Sequence, residues 1–556
     1  MFAFMRVFFF ILAALLMAAA WLSPVHRMPW TTFSSEILTF AAALSLCMCF
    51  AKQAPKIAKP QLIAAGFIFV PLIQWAAGLI IYFSTALLSS AYLLMFWLMV
   101  VVGYNLASTQ QAREGVFTRF SLLVLVVAVL SGFIAVLQWL NLTSYFPGLV
   151  NVLKGNRPYA NFAQPNNLAT FLSLGVFACL YLFEQRVLAK RILVPTALLL
   201  IFAIALTQSR TSWVVGLFVP IYWFIKHYWG VKSYQRNHRI GFAWLLLWIG
   251  IFVADIALLP TFNAWIAALS QQSPIETINV VDRASSGYLR FDMWAQASIA
   301  LGQQPWFGYG WNQTSMAQIA AFDIYPSHEW YKSAHNMIFD LLLWNGLLIG
   351  TLLVGYFFCW LYWLNKGAKE NVSIIAGLMI AAILIHAMLE YPIHYAYFLL
   401  PMGFLLGLIQ SQYPRLPSIK LPVIFIHLTV LVGVVLGTIM VRDFELYKTQ
   451  SYLATQKSLS VEDQQDMQKN IWVLTQFKER VWWIGLAPYT QVTDAQLAEI
   501  GRMVSNTASR YDLHKYAQLL AFNGKRSEAE HQLWIIQQLH GKTYQYEELV
   551  SAAKAN

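Results

Sequence analysis

Runs of about 20 apolar residues recur along this 556-residue chain, and shorter segments between them contain most of its charged side chains. A helix of about 20 residues is long enough to cross the hydrocarbon core of a bilayer. The pattern therefore predicts an all-α polytopic membrane protein with about 13 transmembrane helices. The predicted spans lie near residues 5–22, 33–51, 61–82, 86–106, 118–140, 166–183, 193–208, 211–226, 240–259, 336–364, 372–389, 395–411 and 421–440.

Composition agrees with this class of protein. Hydrophobic residues make up 59% of the chain and charged residues 11%, whereas soluble proteins contain about 25% charged residues. The four cysteines, Cys47, Cys49, Cys179 and Cys359, all fall inside predicted spans. There we expect them to be small apolar residues, with no disulfide and no metal site.

The net charge of +12 reflects membrane orientation. From Arg442 onward the chain has 13 basic and 13 acidic residues, so the excess belongs to the membrane half and nucleic-acid binding is not indicated. If the N-terminus is cytoplasmic, the cations concentrate in the cytoplasmic connections, as the positive-inside rule requires. These cations are Lys52, Lys56 and Lys59; Arg113 and Arg119; Arg186, Lys190 and Arg191; Lys226, Lys232, Arg236 and Arg239; Lys366 and Lys369; Arg415 and Lys420.

The predicted spans divide the chain into four parts. Residues 1–259 hold helices 1–9, residues 260–335 form a large outer loop, residues 336–441 hold helices 10–13, and residues 442–556 form a helical domain outside the membrane. The first span has the pattern of either a cleavable signal peptide or an uncleaved signal anchor, and the many spans behind it favour the anchor.

The segment 511–541 has the residue pattern of one helical hairpin and resembles a tetratricopeptide unit. Repeats of this kind normally need about three units to bury a core. A partner-binding module and a generic tail packed on the membrane domain therefore both stay open.

Polar residues gather on the outer side between the fifth and sixth spans. Arg157, Gln164 and Asn166 lie in the segment KGNRPYANFAQPNN, where Pro165 favours an extended conformation at Gln164. Asn166 and Asn167 are also able to cap the following helix. We expect Arg157, Gln164 and Asn166 to form a cluster that faces a ligand.

Further outer cations occur at Arg210 and in the large loop, at Arg283 and Arg290. A guanidinium at the depth of Arg210 either reaches the lipid headgroups or binds a diphosphate through its fork of donors. The loop ends at His335 and Asn336, where the next span begins. A histidine there is either a cap or surface residue, or a general base, since its ordinary pKa is about 6.5.

These residue types suit group transfer from an activated lipid. An enzyme on the outer face has no ATP or nucleotide sugar, so a polyprenyl diphosphate-linked glycan is a suitable donor. His335 would deprotonate an acceptor hydroxyl, and the arginines would stabilise the departing diphosphate. The chain has no Asp-x-Asp pair and no metal-ligand spacing, so we expect no metal and no cofactor.

These motifs resemble the O-antigen ligase superfamily, specifically its branch of bacterial protein O-oligosaccharyltransferases. The resemblance rests on QPNNLA at the sixth span, SRT before the eighth, R-x-x-x-W and P-x-F-G-x-G in the large loop, and H-N-x-x-x-D-x-L-x-x-N-G opening the tenth. It implies a catalytic His335 and diphosphate-binding arginines at Arg210 and Arg290, with Arg283 a looser match. It also implies functional roles for Gln164 and for Tyr391, which is otherwise an interfacial aromatic.

The resemblance implies transfer of a preassembled oligosaccharide from undecaprenyl diphosphate to a Ser or Thr hydroxyl of an exported protein such as a pilin. The expected partners are this lipid-linked donor, the acceptor protein and membrane lipids. The expected location is the bacterial inner membrane, with a periplasmic active site and a periplasmic C-terminal domain. The alternatives are ligation of glycan to lipid A core, polymerisation of O-antigen units, and, from a different class, a lipid-linked glycan flippase or transporter.

Overall fold

The computed structural model describes residues 2–226, 241–270, 288–413, 415–456 and 458–549. In this part of the chain the regular structure is almost entirely helical, which confirms the predicted fold class. The helices of the first half are α1 Phe2–Leu22, α2 Phe33–Met48, α3 Gln61–Gly66, α4 Val70–Ala76, α5 Phe83–Leu106, α6 Gln110–Trp139, α7 Pro165–Glu184, α8 Lys190–Thr207, α9 Arg210–Phe224 and α10 Phe242–Ser270. Two short strands, β1 Lys56–Ala58 and β2 Ser418–Lys420, pair antiparallel.

The second half of the chain continues in the same way. Its helices are α11 Tyr288–Gln303, α12 Thr314–Ala321, α13 Met337–Gly367, α14 Asn371–Ala387, α15 Ala396–Gln410, α16 Val423–Leu453, α17 Val461–Gln468, α18 Thr475–Gly485, α19 Asp494–Asn506, α20 Arg510–Phe522 and α21 Arg526–His540. Helices α20 and α21 pack against each other at the position of the predicted hairpin.

Within the described residues, 8 helices are long and apolar enough to cross a membrane. They are α1, α5, α6, α7, α8, α10, α13 and α16. Shorter apolar helices occupy the predicted spans at 33–51, 61–82, 372–389 and 395–411, and α9 occupies the span at 211–226. The chain is therefore a multi-pass membrane protein, while the number of about 13 crossings stays a prediction.

The predicted span at 61–82 is not one continuous helix. A single turn of 3-10 helix, Phe67–Phe69, separates α3 from α4, and Pro71 lies in the first turn of α4. Proline has no backbone N–H and its ring clashes with the carbonyl one turn earlier, so a helix breaks before it. The apolar run is continuous across this break, which is why hydrophobicity alone does not predict it.

The chain divides into two compact units. The first contains residues 1–64, 94–284 and 359–431, and the second contains residues 65–93, 285–358 and 432–556. In the first unit α5 and α15 pack closely through glycines, since a Cβ on Gly407 would lie 2.0 Å from the Val100 carbonyl oxygen. Small residues such as glycine at a helix interface allow the two backbones to approach closely within a membrane.

A partly buried ion pair joins α6 to the start of α14 in the first unit. The Nε and Nη2 atoms of Arg113 each donate to a carboxylate oxygen of Glu370 at 2.7 Å, and Nη1 donates to Ser411 Oγ at 3.1 Å. Such a bidentate pair fixes both groups in a defined geometry. Its role here is structural.

The second unit has an apolar core that draws on distant parts of the sequence. Trp483, Leu513 and Ile536 of the C-terminal helices share this core with Tyr82 and with Phe322. Ser315 Oγ of α12 also donates to the carbonyl of Ser505 in α19 at 2.8 Å. The C-terminal helices and the end of the large loop therefore pack as one body within this unit, and the four-part division predicted from sequence stays a prediction.

Candidate functional site

Arg157 is the centre of a polar cluster in the first unit. Its Nε donates to the carbonyl of Thr207 at 2.7 Å, and its Nη2 donates to Asn166 Oδ1 at 3.0 Å. Thr207 ends α8, and Asn166 lies in the first turn of α7. The structure thus brings two of the predicted outer segments together around one guanidinium.

Glu390 extends this cluster to a third segment. Its Oε1 accepts from Asn166 Nδ2 at 3.2 Å, and its side chain is only 8% exposed. Sequence reasoning missed Glu390, although a carboxylate beside Tyr391 at the outer end of a span was an available signal. Ionisable groups are costly to bury in a membrane protein and often mark functional sites.

The loop that carries Arg157 is held by a buried amide. Gln138 Nε2 donates to the carbonyls of Asn151 and Ala160, each at 2.9 Å. Its Oε1 accepts the N–H groups of Tyr159 and Ala160 at 3.0 and 2.7 Å. This side chain satisfies backbone groups that would otherwise be buried without a partner. Sequence reasoning missed it because its partners lie 13 to 22 residues further along the chain.

The start of α7 differs from the capping arrangement considered for it. Gln164 is the N-cap residue, half-buried and extended, and its side chain makes no capping hydrogen bond. Asn167 lies inside the first turn, where its Nδ2 donates to Tyr397 Oη at 3.1 Å. The reason is Pro165, which is pre-organised for the first helical position. The cap is therefore the residue before the proline, Gln164. Asn167 is thus a buried contact residue and does not cap the helix.

Arg210 is half-buried and is the first residue of α9. Gln208 before it adopts the left-handed conformation, with φ of 49°, and ends α8. Arg210 follows Thr207 by three positions in the sequence, and the Thr207 carbonyl is the group that Arg157 binds. Arg157 therefore contacts the turn of the first unit that leads into Arg210.

Tyr391 lies in the short connection between α14 and α15. Its ring centroid is 5.9 Å from that of Tyr395 and 5.5 Å from that of His394. Burial raises the pKa of Tyr391, and the negative charge of Glu390 raises it further, while a hydrogen bond with Tyr395 lowers it. The phenol is consequently protonated at neutral pH and is able to donate a hydrogen bond.

His335 lies in the second unit, at the last turn before α13. Its backbone is left-handed, with φ of 52°, and its N–H donates to Ser333 Oγ at 3.1 Å. Its side chain is half-buried. Asn336 caps α13, since its Oδ1 accepts from the N–H groups of Ile338 and Phe339 at 3.0 and 3.3 Å. The sequence prediction of a helix start at this point is correct.

Asp340 holds the turn that presents His335. Its Oδ1 accepts from the N–H of Ala334 at 2.8 Å and from Thr314 Oγ1 at 3.1 Å, while Oδ2 accepts from Ser333. The side chain is 2% exposed. A carboxylate that accepts several hydrogen bonds in a buried site is strongly anchored. Asp340 was part of the recognised motif, but its role in fixing the turn was not predictable from spacing.

Replacing Asp340 by asparagine is expected to destabilise this turn. One oxygen becomes an amino group facing hydrogen-bond donors, and hydrogen bonds to a charged group contribute about 1.5–3 kcal/mol each. The thermal unfolding midpoint of the purified variant should fall relative to wild type. Asp494→Asn is a matched control, because the Asp494 side chain is 82% exposed and pairs with Lys525 at the surface. Equal midpoints for Asp340→Asn and the control would contradict this role.

Arg290 belongs to the helix that packs on the same turn. One helical turn later, Trp294 Nε1 donates to the carbonyl of Ala334 at 3.0 Å, and its ring stacks on Phe339 at 6.0 Å. Residues four apart share one face of a helix, so Arg290 lies on the face of α11 that carries Trp294. Its side chain is half-buried. The predicted Arg283 lies outside the described residues.

The P-x-F-G-x-G motif fills a break in α13. Gly346 has φ of 65° and ψ of −176°, which interrupts the helix and frees backbone groups. The N–H groups of Tyr309 and Gly310 donate to the carbonyls of Leu343 and Trp344 at 2.8 and 3.1 Å. The Leu347 N–H donates to the Pro305 carbonyl at 2.6 Å. This motif is therefore structural, because it pairs the backbone of a broken helix inside the protein.

Gly308→Ala is expected to disrupt this docking. Gly308 has φ of +67°, and an added Cβ would lie 2.3 Å from the Leu343 carbonyl oxygen. Overpacking of this kind typically costs about 1–3 kcal/mol, so the thermal unfolding midpoint should fall. Gly302→Ala in α11 is the matched control, since nothing lies within 4 Å of its added Cβ. An unchanged midpoint for Gly308→Ala would contradict this expectation, because it would show that the backbone around Leu343 shifts to accommodate the added Cβ without loss of stability.

Comparison with known proteins identifies the family. A model described as O-Antigen ligase matches residues 195–355, one described as Protein glycosylation ligase matches residues 158–183, and one described as Virulence factor membrane-bound polymerase, C-terminal, matches residues 374–553. A General O-oligosaccharyltransferase of Acinetobacter baylyi is 45% identical over 557 residues, covering 99% of this chain and 95% of the relative. The chain belongs to the O-antigen ligase superfamily, in its protein O-oligosaccharyltransferase branch.

This result confirms the resemblance drawn from the motifs. A second member, a ComP-specific O-oligosaccharyltransferase of the same organism, is 28% identical over 346 residues, which is 62% of this chain and 60% of that relative. The matched O-Antigen ligase region contains Arg210, Arg290 and His335, and the Protein glycosylation ligase region contains Gln164 and Asn166. In the described part of the chain, no group of three or more His, Cys, Asp or Glu side chains is arranged to hold a metal ion.

Proposed function

We propose that this protein is a glycosyltransferase that moves a preassembled oligosaccharide from an undecaprenyl diphosphate carrier to a Ser or Thr hydroxyl of an exported protein. The observation that carries the proposal is the 45% identity, over 99% of the chain, to a General O-oligosaccharyltransferase. Such identity along nearly the whole length is compatible with the same reaction on a shared scaffold. The multi-pass membrane fold supports a lipid-linked donor.

The arginines are proposed to bind the diphosphate of the donor. A guanidinium presents several N–H donors in a fixed fork that matches phosphate oxygens. Arg157 contacts the turn that leads into Arg210 in the first unit, and Arg290 lies in the second unit. Negative charge grows on the leaving diphosphate in the transition state, so cations fixed in place beforehand lower the barrier. Arg283 is proposed as a further ligand on the strength of the motif alone.

His335 is proposed as the general base. Its imidazole removes the proton of the acceptor hydroxyl while that oxygen attacks the anomeric carbon of the donor sugar. The bond between this carbon and the diphosphate oxygen breaks, and undecaprenyl diphosphate leaves. A base and a leaving group on opposite faces of the sugar produce inversion at the anomeric carbon. The anchored turn at Asp340 supports this role, because a base must be held in position.

Gln164 and Tyr391 are proposed to assist at the donor. The protonated phenol of Tyr391 is able to donate a hydrogen bond to a phosphate or sugar oxygen. The half-buried amide of Gln164 is able both to donate and to accept. Asn166 orients Arg157, and Asn336 fixes the helix end beside His335. No step in this scheme requires a metal ion or a cofactor.

The proposed location is the bacterial inner membrane with the reaction on the periplasmic face. The distribution of Lys and Arg among the connections supports an inward N-terminus. A cytoplasmic protein would not meet this enzyme, so the acceptor is proposed to be an exported protein, and a pilin-like protein is one such acceptor. The C-terminal helices are proposed to take part in acceptor selection.

A second candidate function is ligation of the glycan to lipid A core or polymerisation of O-antigen units. The matches to models described as O-Antigen ligase and as Virulence factor membrane-bound polymerase, C-terminal, favour this candidate. The chemistry at the donor is the same, and the acceptor differs. A lipid-linked glycan transporter has less support. Transporters place ionisable groups at mid-membrane in broken helices, whereas the predicted spans of this chain are poor in charge and its polar residues gather on one side.

Co-expression with a defined lipid-linked glycan tests the proposal. Candidate pilins and lipid A core are supplied as alternative acceptors, and each is analysed by intact mass. The proposal expects a pilin heavier by one whole glycan with the wild-type protein and unmodified core lipid. Glycan on core lipid alone would support the second candidate, and glycan translocation without any glycosylated product would support a transporter.

A further inference from the structure

We propose that Glu390 is a positioning residue, which acts on Arg157 through Asn166 and so sets the orientation of the diphosphate-binding cluster. This inference rests on the proposed function for the identity of the bound group. Glu390 Oε1 accepts from Asn166 Nδ2 at 3.2 Å, and Asn166 Oδ1 accepts from Arg157 Nη2 at 3.0 Å. One amide thus connects the carboxylate to the guanidinium.

Two of the three residues in this connection, Glu390 and Asn166, are held by helices. The Glu390 N–H donates to the His386 carbonyl at 2.8 Å, so Glu390 continues from the last turn of α14. Asn166 lies in the first turn of α7. Arg157, by contrast, lies in a loop without regular secondary structure. The long arginine side chain therefore obtains its direction from Asn166, whose own side chain is bound by Glu390.

The fold of the loop has its own supports. Gln138 makes four hydrogen bonds to the backbone of residues 151, 159 and 160. Asn161 Nδ2 donates to the carbonyls of Leu22 and Leu149 at 2.8 and 3.1 Å. What the Glu390–Asn166 contact adds is control over the guanidinium of Arg157.

The hydrogen bond from Arg157 Nε to the Thr207 carbonyl also orients the guanidinium. It holds one edge of the guanidinium against the turn that leads into Arg210. A fork that is fixed in advance loses less rotational freedom when it binds phosphate oxygens. Loss of Glu390 should therefore weaken diphosphate binding through its effect on Asn166 and Arg157.

The test measures binding of undecaprenyl diphosphate to the full chain in lipid nanodiscs, together with kcat and KM for glycan transfer. Four variants are compared with wild type: Glu390→Ala, Glu390→Gln, Asn166→Ala, and the Glu390→Ala/Asn166→Ala double variant. We expect Glu390→Ala and Asn166→Ala each to raise Kd and KM about tenfold, the scale of one lost charge-assisted hydrogen bond. Because both act through one connection, the double variant should be no weaker than either single variant.

Glu390→Gln provides the conservative rescue. Its amide oxygen is still able to accept from Asn166 Nδ2, so its Kd should stay within about threefold of wild type. Glu370→Gln, at the opposite end of α14, is the matched control, since it also removes a carboxylate that binds a polar partner. It should lower the unfolding midpoint without changing Kd.

The possible results separate cleanly. An unchanged Kd for Glu390→Ala, independent losses that multiply in the double variant, or a Glu390→Gln variant as weak as Glu390→Ala would overturn the inference. If Glu390→Ala fails to fold, Asn166→Ala and Glu390→Gln still decide it. If wild type binds undecaprenyl diphosphate but transfers no glycan, the proposed function is wrong, while the Kd values still decide the role of Glu390. Absence of binding by wild type would overturn the inference as well.

Discussion

Replacing His335 by alanine is expected to lower the rate of glycan transfer by about 10²- to 10⁴-fold, the usual contribution of a general base. Removal of the imidazole leaves no group to accept the hydroxyl proton in the proposed mechanism. The variant should nevertheless fold and insert, because the turn is held by Asp340 and by the Asn336 cap. Donor binding should stay near the wild-type value.

The backbone at His335 requires a second variant. Its φ of 52° lies in the left-handed region, where alanine is strained and asparagine is tolerated. His335→Asn therefore removes the imidazole without adding backbone strain. We expect both variants to show the same loss in transfer rate, measured as glycosylated acceptor over time. A normal rate for His335→Asn would mean that the backbone at this position, and not the imidazole, matters.

Replacing Arg210 by lysine is expected to reduce transfer by about 10²- to 10³-fold, similar to the loss of one transition-state hydrogen-bond donor. Lysine keeps the charge but loses the planar fork of donors that fits a diphosphate. Arg210 is half-buried at the start of α9. Bulk water therefore has limited access to replace the hydrogen bonds to the diphosphate that an ammonium does not make. The measurement is kcat/KM for the lipid-linked donor.

Arg526→Lys is the matched control for this change. Arg526 is exposed in the C-terminal helices and pairs with Glu530 at 2.8 Å, so its replacement should leave kcat/KM unchanged. If Arg210→Lys also leaves kcat/KM unchanged, Arg210 serves only to reach the lipid headgroups, which is the alternative considered from sequence. A decrease confined to Arg210→Lys supports the diphosphate role.

The membrane helices were readable from sequence because burial in lipid imposes a simple rule on composition. Runs of about 20 apolar residues have few other uses, and each predicted span coincides with helical structure in the part of the chain that is described. The break at Pro71 was missed because it lies within an apolar run. The apolar run after His335 also predicted the start of α13, and the structure shows that Asn336 caps this helix.

The connections within the site were not readable, because they join residues far apart in the chain. Asn166 and Glu390 are 224 residues apart, and Arg157 and Thr207 are 50 apart. Spacing predicts which residues share a helix face, but not which loops meet. Gln138 and Glu390 therefore escaped prediction, although both are polar residues at the end of an apolar run. Arg157 was predicted to belong to a polar cluster that faces a ligand, but only the structure shows its contacts with Thr207 and Asn166.

The most direct test of the central claim uses the purified protein in nanodiscs with a lipid-linked oligosaccharide and a purified acceptor protein. Glycosylated acceptor and released undecaprenyl diphosphate are quantified together over time. The account predicts that the two products appear in equal amounts, that each acceptor gains whole preassembled glycans on Ser or Thr, and that His335→Asn stops both. Release of the carrier without a glycosylated protein, or growth of the glycan on its lipid, would contradict it.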